Sequence, residues 1–296
     1  MTLTHPTVCR DRQTDPCVDD RQDSDGDDRA ARRGAFVIVL ANHKGGVTKT
    51  TSTANLGACL AEAGRRVLMV DADPQANLSE VFGWSDELPG ERLEDLLDHP
   101  EAVGRHEPGV ALHDDAWAGV AWRDRLRLIA CTDVLADVAA DLPARVGDGW
   151  ERRLSEVIAA QRDCFDVVLL DTPPGLGSLS GMAMLAADGL LIPARPADLD
   201  VRGAGKLYDL VESTVPGLRI LGVLVAATDQ RWIVARDASA QMAAEQMRML
   251  PVQVPRAVRV ASAPRYHAPT VVLEPDSRVS HAYRRLAAHL LDEVGR

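Results

Sequence analysis

Residues 36–51 read FVIVLANHKGGVTKTT, an apolar run that leads into a glycine-rich loop. The first five residues are apolar and partly β-branched, which favours a buried strand. The final Lys-Thr-Thr opens a helical pattern. A strand, a glycine-rich loop and a helix in this order hold nucleotide phosphates on backbone N–H groups. The stretch therefore predicts an α/β domain whose loop binds a triphosphate, although a plain glycine-rich turn between strand and helix stays an alternative.

The loop residues have separate expected roles. Gly45 and Gly46 allow the backbone to approach the phosphates closely. Lys49 can reach the β and γ oxygens, and the hydroxyl of Thr50 is placed to ligate Mg²⁺. The residues expected around the nucleotide are Lys44, Gly45, Gly46, Val47, Thr48, Lys49, Thr50 and Thr51.

A second lysine in the loop, Lys44, requires its own explanation, because an ordinary phosphate loop has one. The chain contains only three lysines, Lys44, Lys49 and Lys206, and two of them lie in this loop. An extra lysine at the start of the loop is the deviant Walker A motif. At this point the sequence resembles the ParA/MinD-type partition ATPases, and most of all the ParA/Soj proteins of chromosome or plasmid partition. The resemblance implies that the nucleotide is ATP and that Lys44 crosses a dimer interface to the nucleotide of the partner subunit.

Thr48 departs from the family pattern, which usually has glycine before the second lysine. A β-branched residue is strained at positive φ. Because the first turn of a helix has ordinary helical angles, we expect a negative φ at Thr48 and retained nucleotide binding.

A second motif follows the apolar run at residues 67–70, where residues 71–75 read DADPQ. Carboxylates at the carboxyl end of a strand beside a phosphate loop lie where an open parallel sheet binds ligands. The segment resembles the first switch of the family. The resemblance assigns orientation of the attacking water to Asp73 and a structural role to Asp71. Aspartates also commonly cap turns, and this simpler interpretation stays open.

A third motif, DVVLLD, occupies residues 166–171. An apolar run that ends in aspartate has the Walker B form, in which the carboxylate holds Mg²⁺ or its water shell. Asp171 is therefore the second candidate metal ligand, beside Thr50, and also a candidate nucleotide-site residue. The following TPPGLG at residues 172–177 resembles the second switch, and the motifs occur in the family's order.

Apolar runs alternate with helical patterns along the chain. Such alternation predicts βαβ units and a doubly wound, mostly parallel sheet with helices on both faces. The helix after the loop should end at Gly64 and bury Leu56, Leu60 and Ala63 on one face. Further strands are expected at residues 126–130, 189–194 and 220–225, and helices at 92–97, 150–161, 206–212 and 280–294.

Two segments are expected outside the packed core. Residues 1–34 have few apolar side chains and are predicted to be a disordered tail, which leaves residues 35–296 as the ATPase domain. The scattered Gly, His, Pro and Trp at residues 104–122 predict a surface loop.

The composition limits the possible functions. The chain has 296 residues, 46% of them hydrophobic and 26% charged, and a formal net charge of −11. Such an acidic protein requires a local basic patch for any contact with nucleic acid. The five cysteines lack CxxC or metal-type spacing, and no secretion signal or membrane-length apolar run is present. These features predict a cytoplasmic protein.

The segment PRAVRVASAP at residues 255–264 also resembles the family. Arg231, Arg256 and Arg259 match positions that lie in or near the basic patch of DNA-binding relatives. Non-specific DNA binding is electrostatic and requires only such a cluster. Pairing of these arginines with surface carboxylates is an equally open interpretation.

The resemblance covers residues 36–290 and implies a slow ATP hydrolase stimulated by a ParB-type centromere-binding protein. Its ATP-bound homodimer would bind non-specific DNA at the nucleoid and segregate plasmid or chromosome copies. The alternative is a MinD-like or other cargo-positioning ATPase on a membrane or protein scaffold. The acidic LLDE at residues 290–293 argues against a membrane. An electron-transfer ATPase would require cluster-binding cysteines, and none follows Asp171.

Overall fold

The computed structural model describes residues 34–84, 92–102, 117–195, 208, 210–211, 213–215, 217–228, 247–257 and 263–295. Several expectations lie outside these ranges: the tail at residues 1–33, the DNA contacts Arg231 and Arg259, and most of the loop expected at residues 104–122. The helix expected at residues 206–212 is described only in part, and its described residues are helical.

The described strands are β1 (Phe36–Leu40), β2 (Val67–Asp71), β3 (Leu126–Ile129), β4 (Val167–Asp171), β5 (Gly189–Ala194), β6 (Arg219–Thr228) and β7 (Met249–Pro255). They form one sheet in the order β3-β2-β4-β1-β5-β6-β7. Every neighbouring pair is parallel. The predicted doubly wound α/β fold is confirmed, and β7 is a strand that the sequence patterns did not identify.

The described helices are α1 (Lys49–Glu62), α2 (Asn77–Val81), α3 (Leu93–Asp98), α4 (Val134–Val146), α5 (Arg153–Ala159), α6 (Ser178–Ala186), α7 (Thr270–Leu273) and α8 (Arg278–Val294). A 3₁₀ turn at Trp150–Arg152 precedes α5. The predicted helices at residues 92–97, 150–161 and 280–294 correspond to α3, to this turn with α5, and to α8. Helix α4 was not predicted.

Alternating side chains of the strands supply two cores, one on each face of the sheet. In β1, Val37 and Val39 belong to the core beneath α3, α4, α5 and α6. Ile38 and Leu40 belong to the opposite core, with α1 and α8. Successive residues of a strand point to opposite faces, so a continuous apolar run is what a sheet covered on both sides requires.

Helix α1 is more deeply buried than the sequence predicted. It packs on β2, β4 and α8, and eleven of its residues are buried, including Leu56 and Leu60. Ala63 was expected on the same face but is exposed. The helix ends at Glu62, so Ala63 lies in the cap before Gly64, which turns the chain at φ +89°.

Trp117 corrects the expectation of a surface loop over residues 104–122. Its side chain is 0% exposed and stacks on Phe82 with ring centroids 5.6 Å apart. Its indole N–H donates a 2.9 Å hydrogen bond to the carbonyl of His267. Burial of an aromatic ring with a satisfied N–H is typical of a core anchor. The core therefore includes at least this end of the segment.

In the described part of the chain, no helix has both the length and the apolar character needed to cross a membrane. The long terminal helix α8 has one apolar face, and that face is buried against α1 and β7.

Candidate functional site

Three sequence motifs meet at the carboxyl edge of the sheet. The glycine-rich loop follows β1, and the first switch follows β2. In the sheet register, Leu40 of β1 and Asp71 of β2 are each paired with Asp171 of β4. Parallel strands end at the same edge, so residues far apart in sequence become neighbours there.

A cleft of about 640 Å³ opens at this edge. It is lined by the loop from Gly45 to Thr51 and by residues at or just after the ends of β5 and β7. The other lining residues include Asn55, Asp73, Gln75, Asn77, Pro174, Arg195, Pro255, Arg256, Pro264 and Tyr283. The cleft is large enough for a nucleotide-sized ligand.

The start of the loop is fixed by Asn42. Its side-chain N–H donates to the carbonyl of Pro193 over 2.7 Å, and its Oδ1 accepts the backbone N–H of Lys44 over 3.1 Å. Gly46 lies at φ +70°, and a Cβ there would meet nothing within 4 Å. Glycine is therefore required at Gly46 for its backbone angle rather than for space.

Thr48 does not have the helical angles expected from the sequence. Its φ is 71° and its ψ is 20°, in the left-handed region. Thr48 is the N-cap of α1 rather than its first helical residue, and its carbonyl accepts the N–H of Ser52 over 2.8 Å. Among the described residues its buried Oγ1 has no hydrogen-bond partner. The expectation was wrong because the chain must turn sharply between loop and helix.

Lys49 is only 6% exposed. Desolvation lowers the pKa of its ammonium group, while the carboxylates of Asp171 and Asp73 oppose this shift. The loop thus directs a buried positive charge toward two carboxylates.

Asp171 is fully buried, and its two oxygens differ. Oδ1 accepts the hydroxyl of Thr53 over 3.2 Å, whereas Oδ2 has no hydrogen-bond partner among the described residues. Burial and then the neighbouring Asp71 raise the pKa of Asp171 to about 8, and the nearby hydroxyl of Thr50 acts in the opposite direction. An unpaired carboxylate oxygen beside a hydroxyl fits the oxygen ligands that Mg²⁺ prefers.

The two aspartates of the first switch have different environments. Asp71 is fully buried; it accepts the N–H of Asp73 over 3.2 Å and both the N–H and hydroxyl of Ser79 over 2.8 Å. Burial raises the pKa of Asp71 to about 6. Asp73 lies on the cleft wall, and its Oδ1 accepts the N–H of Gln75 over 3.1 Å. Both aspartates cap backbone turns, and Asp73 also faces the cleft.

Residues 35–218 match the AAA domain family. The chromosome-partitioning ATPase Soj of Thermus thermophilus is 35% identical over 268 residues, which cover 87% of this chain and 96% of Soj. The chain belongs to the ParA/MinD-type partition ATPases. This membership confirms the family suggested by the motifs.

Two solved structures support the fold of this partition ATPase. Cobyrinic acid a,c-diamide synthase from Mycobacterium smegmatis, with bound ADP and magnesium, has a TM-score of 0.69 at 32% identity and covers 88% of this chain and 97% of its own. The cell division ATPase MinD of Pyrococcus furiosus has a TM-score of 0.70 at 27% identity. The match covers 87% of this chain and 99% of MinD.

Some residues that line the cleft could not be identified from the sequence. Tyr283 of α8 lines the cleft, and its hydroxyl lies 3.1 Å from Oγ of Ser52. Arg195, immediately after β5, also lines the cleft. Its position at the end of a strand was the only sequence feature that could have indicated a place in the cleft. Arg256, which the sequence predicted to contact DNA, is exposed and also lines this cleft.

Proposed function

We propose that this partition ATPase binds ATP with Mg²⁺ in the cleft, dimerises in the ATP state and then binds DNA without sequence preference. Lys49 and Thr50 line the cleft, and both act on the buried carboxylate of Asp171. This convergence supports the nucleotide part of the proposal, and the similarity to a chromosome-partitioning ATPase supports the part on dimerisation and DNA. The M. smegmatis relative, with ADP and magnesium in one structure and an ATP analogue and magnesium in another, supports these cofactors.

The residues present fit a magnesium nucleotide. Oδ2 of Asp171 and the hydroxyl of Thr50 are the groups that would hold the cation, which would neutralise charge on the phosphate oxygens. Backbone N–H groups of residues 45–51 would bind the phosphates, and the ammonium of Lys49 would stabilise charge that develops on them. Asp73, on the cleft wall, would orient the attacking water. Catalysis here is positioning and charge stabilisation.

Two lysine variants test the nucleotide and dimer parts of this proposal. Lys49→Ala should lose most affinity for ATP because it removes the buried ammonium. Lys44→Ala should still bind ATP but stay monomeric, because its side chain is proposed to act on the partner's nucleotide. Nucleotide titration and light scattering with a non-hydrolysable ATP analogue measure the two effects. The matched control is Arg123→Ala, an exposed charge paired with Asp124.

DNA binding is proposed to require ATP and a local basic surface that includes Arg231, Arg256 and Arg259. Retention on DNA should fall steeply with salt, since each neutralised phosphate releases counterions. Arg259→Glu should abolish retention in ATP, and Arg123→Glu should not. If Lys44→Ala and Arg259→Glu both retain DNA as well as the wild type, the DNA-binding proposal is wrong.

A ParB-type centromere-binding protein is the proposed partner that stimulates slow hydrolysis. The support is the similarity to a chromosome-partitioning ATPase. Addition of a ParB-type protein encoded next to this chain should raise the ATPase rate severalfold. No stimulation would contradict this partner and leave the ATPase proposal intact.

The similarity to MinD supports a second candidate function, that of a cargo-positioning ATPase on a membrane or protein scaffold. The apolar face of α8 is buried, so this helix does not present that face to a membrane. Co-sedimentation with anionic liposomes in ATP decides between them, and recovery of the protein with liposomes would favour the MinD-like function.

A further inference from the structure

A closed ring of hydrogen bonds holds the backbone of Asp73. The N–H of Asp73 donates to Oδ1 of Asp71 over 3.2 Å. Oδ2 of Asp71 accepts the hydroxyl of Ser79 over 2.8 Å. Oγ of Ser79 accepts the N–H of Cys131 over 3.2 Å, and the thiol of Cys131 donates to the carbonyl of Asp73 over 3.1 Å.

Each member of the ring has a defined donor or acceptor role. The Ser79 hydroxyl donates a hydrogen bond to Asp71, and its oxygen accepts one from the backbone N–H of Cys131. Cys131 takes part twice, through its N–H and its S–H. Asp71 and Cys131 are 0% exposed, and Ser79 is 1% exposed. Hydrogen bonds in such a dry environment are stronger than in water, and loss of one member leaves others unpaired.

The ring connects three elements to one cleft residue. Asp71 ends β2, Ser79 lies in α2, and Cys131 follows β3. Because the ring holds both the N–H and the C=O of Asp73, it fixes the direction in which the side chain leaves the backbone. The carboxylate of Asp73 is on the cleft wall. A displacement of about 1 Å in a group that orients a reactant can cost about 100-fold in rate.

We propose that Ser79 and Cys131 are positioning residues that aim the carboxylate of Asp73 at the attacking water during ATP hydrolysis. The inference rests on the proposed function, in which Asp73 orients that water. Neither residue lines the cleft, so both act through the backbone of Asp73 rather than on the nucleotide.

The test separates turnover from nucleotide binding. Ser79→Ala and Cys131→Ala should each lower kcat about tenfold, the range seen when outer partners of site residues are removed. Affinity for MgADP, measured by calorimetry, should stay within about twofold, because the phosphate loop is unchanged. Cys131→Ser keeps a donor and Ser79→Thr keeps the hydroxyl, so both should recover most of the lost kcat.

Matched controls account for the loss of a buried group. Cys59→Ala removes another buried free thiol. Ser280→Ala removes a buried hydroxyl that donates to the carbonyl of Glu274 over 2.6 Å. Both controls should lower the melting temperature and leave kcat unchanged. An equal fall of kcat in the controls would overturn the positioning role.

Asp73→Asn distinguishes failure of this inference from failure of the proposed function. Wild-type hydrolysis by Asp73→Asn would overturn the proposed role of Asp73 itself. If Asp73→Asn is inactive while Ser79→Ala and Cys131→Ala turn over like the wild type, only the positioning inference is overturned. Should Ser79→Ala not fold, the two Cys131 variants decide alone. If kcat falls in Cys131→Ala and is not restored in Cys131→Ser, the role of the thiol as donor is overturned.

Discussion

Asp71 and Asp171 are register partners at the carboxyl ends of the neighbouring strands β2 and β4. Both carboxyl groups are fully buried, and the nearby Asp71 disfavours the charged form of Asp171. Asp71 is satisfied by Ser79 and by the backbone of Asp73, whereas Oδ2 of Asp171 has no partner among the described residues. This asymmetry agrees with the proposed role of Asp171, rather than Asp71, in holding a cation.

Asp171→Asn should stabilise the nucleotide-free protein at alkaline pH. The pKa of Asp171 is raised from 3.8 to about 8 in the fold, first by burial. The folded state therefore holds the proton more tightly than the unfolded chain, and the wild type loses stability as pH rises through this window. Because asparagine does not titrate, the variant should melt more than about 2 °C above the wild type beyond pH 8.

Thermal unfolding across the pH range checks this prediction. The gain in melting temperature should shrink as the pH falls toward the ordinary pKa of 3.8, because below that value the carboxyl is protonated in both the folded and the unfolded state. Asp141→Asn, at an exposed residue of α4, is the control and should give no such trend. A pH-independent difference between Asp171→Asn and the wild type would contradict the raised pKa.

Thr48→Gly should stabilise the nucleotide-free protein by about 1 kcal/mol. The substitution relieves a β-branched side chain at φ 71° and removes a buried hydroxyl that lacks a partner among the described residues. Thr48→Val keeps the strain and removes only the hydroxyl, so it should gain less. Urea unfolding without nucleotide measures both variants. Lower stability of the glycine variant would mean that the threonine side chain makes a favourable contact.

Trp117→Ala should destabilise the protein by about 3–5 kcal/mol, the usual cost of removing a buried aromatic side chain. The ring is fully buried against Phe82. Trp150→Ala, at a residue only partly buried, should cost less. Chemical denaturation followed by circular dichroism measures the difference. A loss below about 1 kcal/mol for Trp117 would instead support the surface loop expected from the sequence.

Gly57→Ala should destabilise the protein by about 1–3 kcal/mol although alanine is the better helix former. A Cβ at Gly57 would lie 2.6 Å from Sδ of Met69 and 3.4 Å from Cδ1 of Leu169, so either the buried Met69 side chain or α1 itself must shift. Since α1 begins at Lys49, nucleotide affinity should fall as well.

The control for Gly57 is Gly181→Ala in α6, where a Cβ would meet nothing within 4 Å. The free energy of unfolding of this variant should rise by about 0.5–1 kcal/mol from helix propensity alone. Equal effects of the two substitutions on urea unfolding would show that α1 has room to adjust.

The phosphate loop, the strands that carry the motifs and the α/β class were predictable because their signals are local. A β-branched run before a glycine-rich loop, or an apolar run before Asp171, encodes strand, turn and ligand within a few residues. The parallel sheet then follows from alternation with helices, and the meeting of the motifs follows from the common edge of parallel strands.

Only the tertiary structure decided which neighbours these residues have. The left-handed angle of Thr48 follows from the path between loop and α1. The burial of Trp117 and the ring that joins Ser79 to Cys131 depend on contacts between segments about 35 to 150 residues apart, which no local pattern encodes. The sequence by itself thus determined the kind of site, and packing between distant segments decided how its carboxylates are held.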